Sequence, residues 1–143
     1  MSLLDDNGLI NVKVYYKYIN TGSGKKVVII DNTKAEELLK DEEKGKGIEI
    51  FETEWRMFNW KEQNDVSKVS QSVNIKTGEM QFDYFIYRDQ CIKKCLKKWN
   101  LTENGNPAPI TSENIDRLPG PIVIDMYQRF ESISEYSEEE MGN

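Results

Sequence analysis

The sequence predicts an α+β fold, in which an N-terminal antiparallel hairpin or small sheet is followed by a mainly helical C-terminal half. Apolar and polar residues alternate over residues 9–19, which is the period of a half-buried strand. After residue 61 the apolar residues recur every three or four positions, which is the period of a helix. The length of 143 residues suits one domain around a single core.

We expect this single domain, residues 1–143, to have four parts. They are a frayed start at 1–8, a strand-rich part with one helix at 9–60, a mainly helical part at 61–135 and an acidic, disordered tail at 136–143. The first strand has a predicted apolar face formed by Ile10, Val12, Val14, Tyr16 and Tyr18, with Lys13 and Lys17 on the other face. A turn at 20–24 then leads to a partner strand at 27–30.

The next elements are a helix and a strand. Thr33 and Glu36 have the spacing of a capping box, so we expect a helix over residues 34–44, ended by two glycines. The apolar residues that follow predict a strand over about 48–54. The spacing of Val66, Val69 and Val73 then predicts a second helix, and a Thr-Gly turn leads from it to a short strand at 80–82.

Asp83 is predicted to cap a long helix that ends at Trp99, with Phe82 and Tyr87 in contact across the cap as a hydrophobic staple. On a helical wheel, one arc collects the apolar residues expected in the core. These are Tyr84, Phe85, Cys91, Ile92, Cys95, Leu96 and Trp99. The opposite arc carries a predicted lysine face, which consists of Lys93, Lys94, Lys97 and Lys98.

Two further helices are predicted after a polar turn. Thr111 caps a short helix through Leu118, and the Pro-Gly-Pro sequence at 119–121 separates it from the closing helix. The closing helix is expected to bury Ile122, Val123, Met126, Tyr127, Phe130 and Ile133.

The composition disfavours several classes of function. There is no histidine, the usual general base near neutral pH, and the two cysteines are too few for a disulfide framework or a zinc site. The net charge of −6 disfavours nucleic acid as a partner. No apolar run is long enough to cross a membrane and no signal-peptide pattern is visible, so we expect a cytosolic protein. We predict no catalytic residues, no metal and no cofactor.

Two groups of residues are candidates for a protein interface. Trp55, Phe58 and Trp60 have the residue types that dominate binding hot spots, although three large aromatic residues also suit the core. The four lysines of the predicted lysine face suit either a solvated helix face or contact with an acidic protein segment. The abundant carboxylates leave open a small carboxylate-dependent enzyme, although no spacing selects a catalytic pair.

The second half of the chain also resembles a known group of proteins. A helix that ends in Leu96-Lys97-Lys98-Trp99-Asn100-Leu101 is followed by a polar turn and by Pro109-Ile110-Thr111-Ser112-Glu113-Asn114-Ile115. This pattern, with Phe82-Asp83-Tyr84 before it, resembles small tail proteins of tailed bacteriophages, and the nearest named group is the tail assembly chaperones. The resemblance covers about residues 55–133 and consists of residues that begin and end helices.

This resemblance implies a non-enzymatic role in the host cytoplasm. Such chaperones bind the tape-measure protein, keep its apolar helices from aggregating and help to recruit tail-tube subunits. For this chain it implies a homo-oligomer that offers an apolar groove to amphipathic helices and binds neither nucleic acid nor membrane. The predicted N-terminal strands depart from the more helical structure expected of such chaperones. That difference leaves open a structural virion protein, such as a tail or head–tail joining component.

Overall fold

The computed structural model of this protein describes residue 4 and residues 8–134. The predicted frayed start, apart from Leu4 and Gly8, and the predicted acidic tail lie outside these described residues. The strands are β1 (Ile10–Thr21), β2 (Gly24–Ile30), β3 (Glu49–Trp55), β4 (Gln71–Val73), β5 (Met80–Phe82), β6 (Leu96–Trp99), β7 (Thr102–Glu103) and β8 (Asn106–Pro107). The helices are α1 (Asn32–Leu39), α2 (Trp60–Val69), α3 (Tyr84–Cys95), α4 (Ser112–Asp116) and α5 (Gly120–Ser134).

The main sheet has four strands in the order β2-β1-β3-β6, and every neighbouring pair is antiparallel. The predicted hairpin is confirmed, because Thr21 pairs with Gly24 and leaves a two-residue turn between β1 and β2. Gly24 has a φ of 137°, a backbone conformation that residues with a side chain rarely adopt. The α+β fold class predicted from the sequence is confirmed.

The main core lies between one face of this sheet and α5. The sheet contributes Val12, Val14, Phe51 and Trp55, and α5 contributes Ile122, Met126, Tyr127 and Phe130. The Trp55 ring stacks on the Phe130 ring with their centroids 4.4 Å apart. The Trp55 indole N–H donates to the Thr53 hydroxyl at 2.7 Å, and that hydroxyl donates to the Val12 carbonyl at 2.8 Å. These bonds satisfy polar groups that would be costly to bury unpaired.

The second face of the sheet is partly covered by α1. The sequence predicted a helix here but not that it packs on the sheet. Tyr15 is buried there with Ile30 and Ala35, and its hydroxyl donates to the Glu36 carboxylate at 3.3 Å. The prediction that the even-numbered residues of β1 form one apolar face is wrong towards the end of the strand, because Tyr18 is exposed.

The predicted ends of α1 are also wrong. Asp31 caps the helix by accepting from the Lys34 amide at 3.2 Å, so the helix begins at Asn32 and Thr33 lies within it. The helix ends at Leu39, and the chain then turns back so closely that a Cβ on Gly45 would lie 2.9 Å from the Leu38 carbonyl oxygen. Only glycine fits such an approach.

The long helix predicted to end at Trp99 is the largest error. Its last residues leave the helix at Cys95 and form β6, which pairs with β3 through Thr53 and Trp99. Asn100 extends this pairing, because its side chain accepts from the Glu52 amide at 3.0 Å and donates to the Ile50 carbonyl at 2.9 Å. Pairing with a strand more than 40 residues away has overridden local helix propensity.

The remaining predictions are mostly confirmed. Asp83 caps α3, and the Phe82 and Tyr87 rings lie 5.3 Å apart as the predicted staple. Thr111 caps α4. Val73 was predicted to be helical and lies in β4, so that prediction is wrong. Tyr84, Phe85 and Ile133 were predicted to be buried on helices and are exposed, so those predictions are wrong too.

Candidate functional site

The most exposed apolar region of the structure is residues 71–86, which we call the arm. It comprises β4, a turn, β5, the Asp83 cap and the first three residues of α3. Every side chain of the arm is exposed except that of Asn74, which is partly buried. No residue of the arm belongs to either cluster of the core. The arm is thus ordered structure whose side chains face solvent.

One face of the β4–β5 ribbon is apolar and the other is polar. Val73 pairs with Met80, and Gln71 pairs with Phe82. Because directly opposed residues of an antiparallel pair share a face, Val73, Met80 and Phe82 lie together. Ser72 pairs with Gln81, and both lie on the opposite face. Ile75, in the turn that joins the strands, is 98% exposed.

The beginning of α3 extends this apolar surface. Tyr84, Phe85 and Ile86 are exposed, and Phe85 exposes 71% of its surface. The Arg88 guanidinium lies 5.7 Å from the centroid of the Tyr84 ring and 5.3 Å from that of the Phe85 ring. Such cation–π contacts hold the two rings without removing them from solvent.

Backbone hydrogen bonds hold the arm in place. The Asp83 amide donates to the Ser70 carbonyl at 2.7 Å, which fixes the base of the ribbon. In the turn, the Asn74 amide donates to the Glu79 carbonyl at 2.8 Å, and the Gly78 amide donates to the Asn74 carbonyl at 2.7 Å. A two-stranded ribbon is at most marginally stable by itself in water. The apolar side chains of the arm therefore add little to its folding and remain available to a partner.

The aromatic residues of the predicted interface have three different environments. Trp55 is 0% exposed and stacks on Phe130, so its assignment to a surface is wrong. Phe58 is partly buried against the main core. Trp60 is 79% exposed at the first turn of α2, where Asn59 and Glu62 form a capping box. Only Trp60 has the exposure of an anchor for a partner.

The predicted lysine face does not exist as a single helix face, because α3 ends before two of its lysines. Lys93 is on α3, where its ammonium group lies 3.1 Å from the Asp89 carboxylate and 3.0 Å from that of Asp116. The hydrogen bond to Asp116 raises the pKa of Lys93. Lys94 is partly buried on the same helix, while Lys97 and Lys98 are exposed on the edge strand β6. Lysine is a residue that protects a free strand edge from pairing with other chains.

The sequence did not predict an exposed arm, because the helical wheel drawn for the predicted helix placed Tyr84 and Phe85 in the core. One signal was present in the sequence. Lys76, Glu79 and Asp83 are the only charged residues among the sixteen at 71–86, in a chain that is 31% charged. Low charge together with several large apolar residues is typical of an interface.

A cavity of about 340 Å³ lies beside the base of the arm, where α2, α3 and α5 meet. Tyr87 connects the two features, because it lines the cavity and contacts Phe82 of the arm. Burial raises the pKa of Tyr87 to about 12 and that of the Cys95 thiol to about 12. Burial also raises the pKa values of Tyr127 and Cys91. Both cysteines therefore remain neutral thiols near pH 7, and neutral thiols are poor nucleophiles.

A larger hollow of about 450 Å³ lies on the open face of the main sheet, beside β1, β3 and β6. Its charged residues oppose each other across the strands. Lys13 lies 3.9 Å from Glu52, and Lys98 lies 3.6 Å from Glu54. Exposed pairs of this kind contribute little stability, and they leave this hollow with balanced charge.

Comparison with protein-family models finds no matching family, and comparisons with curated proteins and with solved structures find no match either. None of the helices in the described part of the chain is long and apolar enough to cross a membrane. Within residues 8–134 and Leu4, no three residues among histidine, cysteine, aspartate and glutamate are grouped as a metal site requires.

Proposed function

We propose that this protein is a non-enzymatic assembly factor that binds other protein chains through the arm. The observation that carries this proposal is the exposure of five large apolar side chains within the sixteen residues of the arm, namely Val73, Ile75, Met80, Phe82 and Phe85. Monomeric soluble proteins seldom expose large apolar patches, and those that exist often mark interaction sites. Removing such a surface from water stabilises a complex by about 25 cal/mol per Å² of apolar area, before the costs of association.

The resemblance of residues 55–133 to tail assembly chaperones supports a more specific proposal. The partner would be the tape-measure protein of a tailed bacteriophage, with tail-tube subunits as further partners and self-association of the chaperone, in the host cytoplasm. An apolar surface of aromatic and aliphatic side chains suits the amphipathic helices of such a partner. The interface would then involve the arm and Trp60, which replace the predicted set of Trp55, Phe58 and the four lysines.

One observation favours a structural virion protein as the second candidate. The β4–β5 ribbon pairs with no further strand among the described residues, so both of its edges carry free backbone groups. Strand addition at such an edge is a common way for subunits to join. In this case the protein would form stable rings or tubes by itself, whereas a chaperone would be captured by a separate helical partner.

Co-expression with the neighbouring genes, followed by affinity purification and light scattering, tests the proposal. The variant Val73→Ser/Met80→Ser makes the apolar face of the ribbon polar. The matched control, Ser72→Ala/Gln81→Ala, changes the opposite face of the same two strands. We expect the wild type and the control to co-purify with a partner or to self-associate, and the apolar-face variant to be recovered as a monomer. A wild type that stays monomeric and captures nothing would refute the proposal.

A further inference from the structure

The cavity beside the base of the arm has apolar walls and an acidic group. Met57, Phe58 and Phe130 supply apolar surface, and Gln63 and Glu131 supply polar groups. Its volume of about 340 Å³ lies near the lower end of the range for small-ligand sites, roughly 300–1,000 Å³. The cavity is thus large enough for a short chain of carbon atoms with one polar end.

Glu131 is the only lysine, arginine, aspartate or glutamate among the described residues that line this cavity. No lysine or arginine of residues 8–134 forms an ion pair with its carboxylate. Arg56 does not line the cavity, and its guanidinium lies 2.9 Å from the Glu62 carboxylate. Among the described residues, this cavity therefore contains a carboxylate that no lysine or arginine pairs with.

The other polar groups of the cavity are neutral. Burial raises the pKa of Tyr87, Tyr127 and Cys91, so all three are uncharged near pH 7, and Tyr127 is also a hydrogen-bonding neighbour of the Glu131 carboxylate. The charge of Glu131 acts on all three of them. Glu131 would attract a positively charged ligand, and the described lining residues include no lysine or arginine that would repel it. An anionic ligand would be repelled.

We propose that this cavity binds a protonated primary amine at the end of a short, unbranched alkyl chain. The Glu131 carboxylate pairs with the ammonium group, and the carbon chain packs on Met57, Phe58 and Phe130. Charge-assisted hydrogen bonds of this kind are roughly twice as strong as neutral ones. A lysine side chain of a partner and a free alkylamine share this chemistry. The proposal does not depend on binding through the arm.

Titration of the full-length chain, followed by protein NMR, tests the proposal with three probes of similar size. They are n-butylammonium, Nα-acetyl-lysine N-methylamide and the neutral alcohol 1-butanol. We expect saturable shifts of the Phe58 and Phe130 signals with both amines below ~50 mM, and binding of 1-butanol to be about tenfold weaker, because it lacks the charge that Glu131 attracts. Tighter binding of the lysine derivative than of butylammonium would identify a polypeptide as the source, and the reverse order would identify a free amine.

The variant Glu131→Gln keeps the shape of the side chain and removes its charge. We expect it to lose affinity for both amines about tenfold while its affinity for 1-butanol is unchanged. The control Glu113→Gln removes an exposed carboxylate from the first turn of α4 and should bind like the wild type. Equal binding of amine and alcohol by the wild type, or no binding of either amine up to ~50 mM, would overturn the proposal whether or not Glu131→Gln folds.

Discussion

The main sheet with α5 and the arm use similar residues in opposite ways. In the sheet, Phe51 and Trp55 are buried against α5, whereas Phe82 and Phe85 of the arm face water. The two tryptophans Trp55 and Trp60 are five positions apart in the sequence, yet one is 0% exposed and the other 79%. Residue type therefore does not decide which apolar groups stabilise the fold. An apolar side chain stabilises the fold when another element of the structure, such as α5, covers it.

The main sheet with α5 and the arm also differ in the interactions that stabilise them. Burial of apolar surface stabilises the sheet and α5, at about 25 cal/mol per Å². The arm is held by backbone hydrogen bonds to Ser70 and within its turn, and by the Asp83 cap, whose carboxylate accepts from the amides of Phe85 and Ile86 at 2.9 and 3.2 Å. Mutations in the main sheet should therefore lower the stability of the fold, whereas mutations in the arm should weaken association with other chains.

The largest expected effect is at Trp55. We expect Trp55→Ala to lower the free energy of unfolding by about 3–5 kcal/mol, because it leaves a cavity beside Phe130 and removes the indole donor to Thr53. Trp60→Ala is the matched control and should change the free energy of unfolding by less than about 0.5 kcal/mol, because this side chain is already exposed. Chemical denaturation measures both values. A similar loss in the two variants would contradict the contrast between the regions.

Alkaline pH should destabilise the core through Cys95. Its pKa is raised from 9.0 to about 12 in the folded chain, so the unfolded chain loses this proton first. The contribution of Cys95 to the free energy of unfolding should therefore be constant below pH 9 and fall between pH 9 and 12, by on the order of 2 kcal/mol near pH 11. Denaturation under reducing conditions at several pH values measures the slope. Cys95→Ala should reduce this slope, and an unchanged slope would show that other groups cause it.

A smaller effect is expected where β6 joins the sheet. We expect Asn100→Ala to cost about 1 kcal/mol, because its side chain makes two hydrogen bonds with the exposed backbone of β3. Asn106 in β8 makes no side-chain hydrogen bond to the described residues, so Asn106→Ala is the control. Thermal or chemical unfolding of both variants measures the difference. Equal stability of the two would mean that Asn100 does not hold the sheet edge.

The smallest effect on folding should come from the arm. Val73→Ser/Met80→Ser should change the free energy of unfolding by no more than about 0.5 kcal/mol, because both side chains already contact water. The same variant should lose association with partner chains. A large loss of stability in the isolated chain would mean that the arm packs on the core in solution, which would contradict its exposure here.

Local patterns in the sequence predicted the hairpin of β1 and β2, the Asp83 and Thr111 caps and the staple at Tyr87, since residues close in sequence determine these features. The same local patterns did not predict the strand β6. Residues 96–99 continue a plausible helix, and only pairing with β3 makes them a strand. The alternation of Phe51, Thr53 and Trp55, all buried, was the signal that could have placed Trp55 in the core. The helical wheel could not predict the exposure of the arm, because a wheel gives the direction of a side chain but not whether anything covers it; the low charge of residues 71–86 was the one signal that pointed to an interface.

Amide hydrogen exchange, measured on the chain alone and on the complex purified after co-expression, tests whether the arm is the surface that binds other chains. We expect slow exchange of β1 and β3 in both samples, because these strands are buried against α5. We expect amides of residues 71–86 to exchange quickly in the chain alone and slowly in the complex. Unchanged exchange in the arm, with new protection only at the β2 or β6 edge, would show that the arm is not the binding surface.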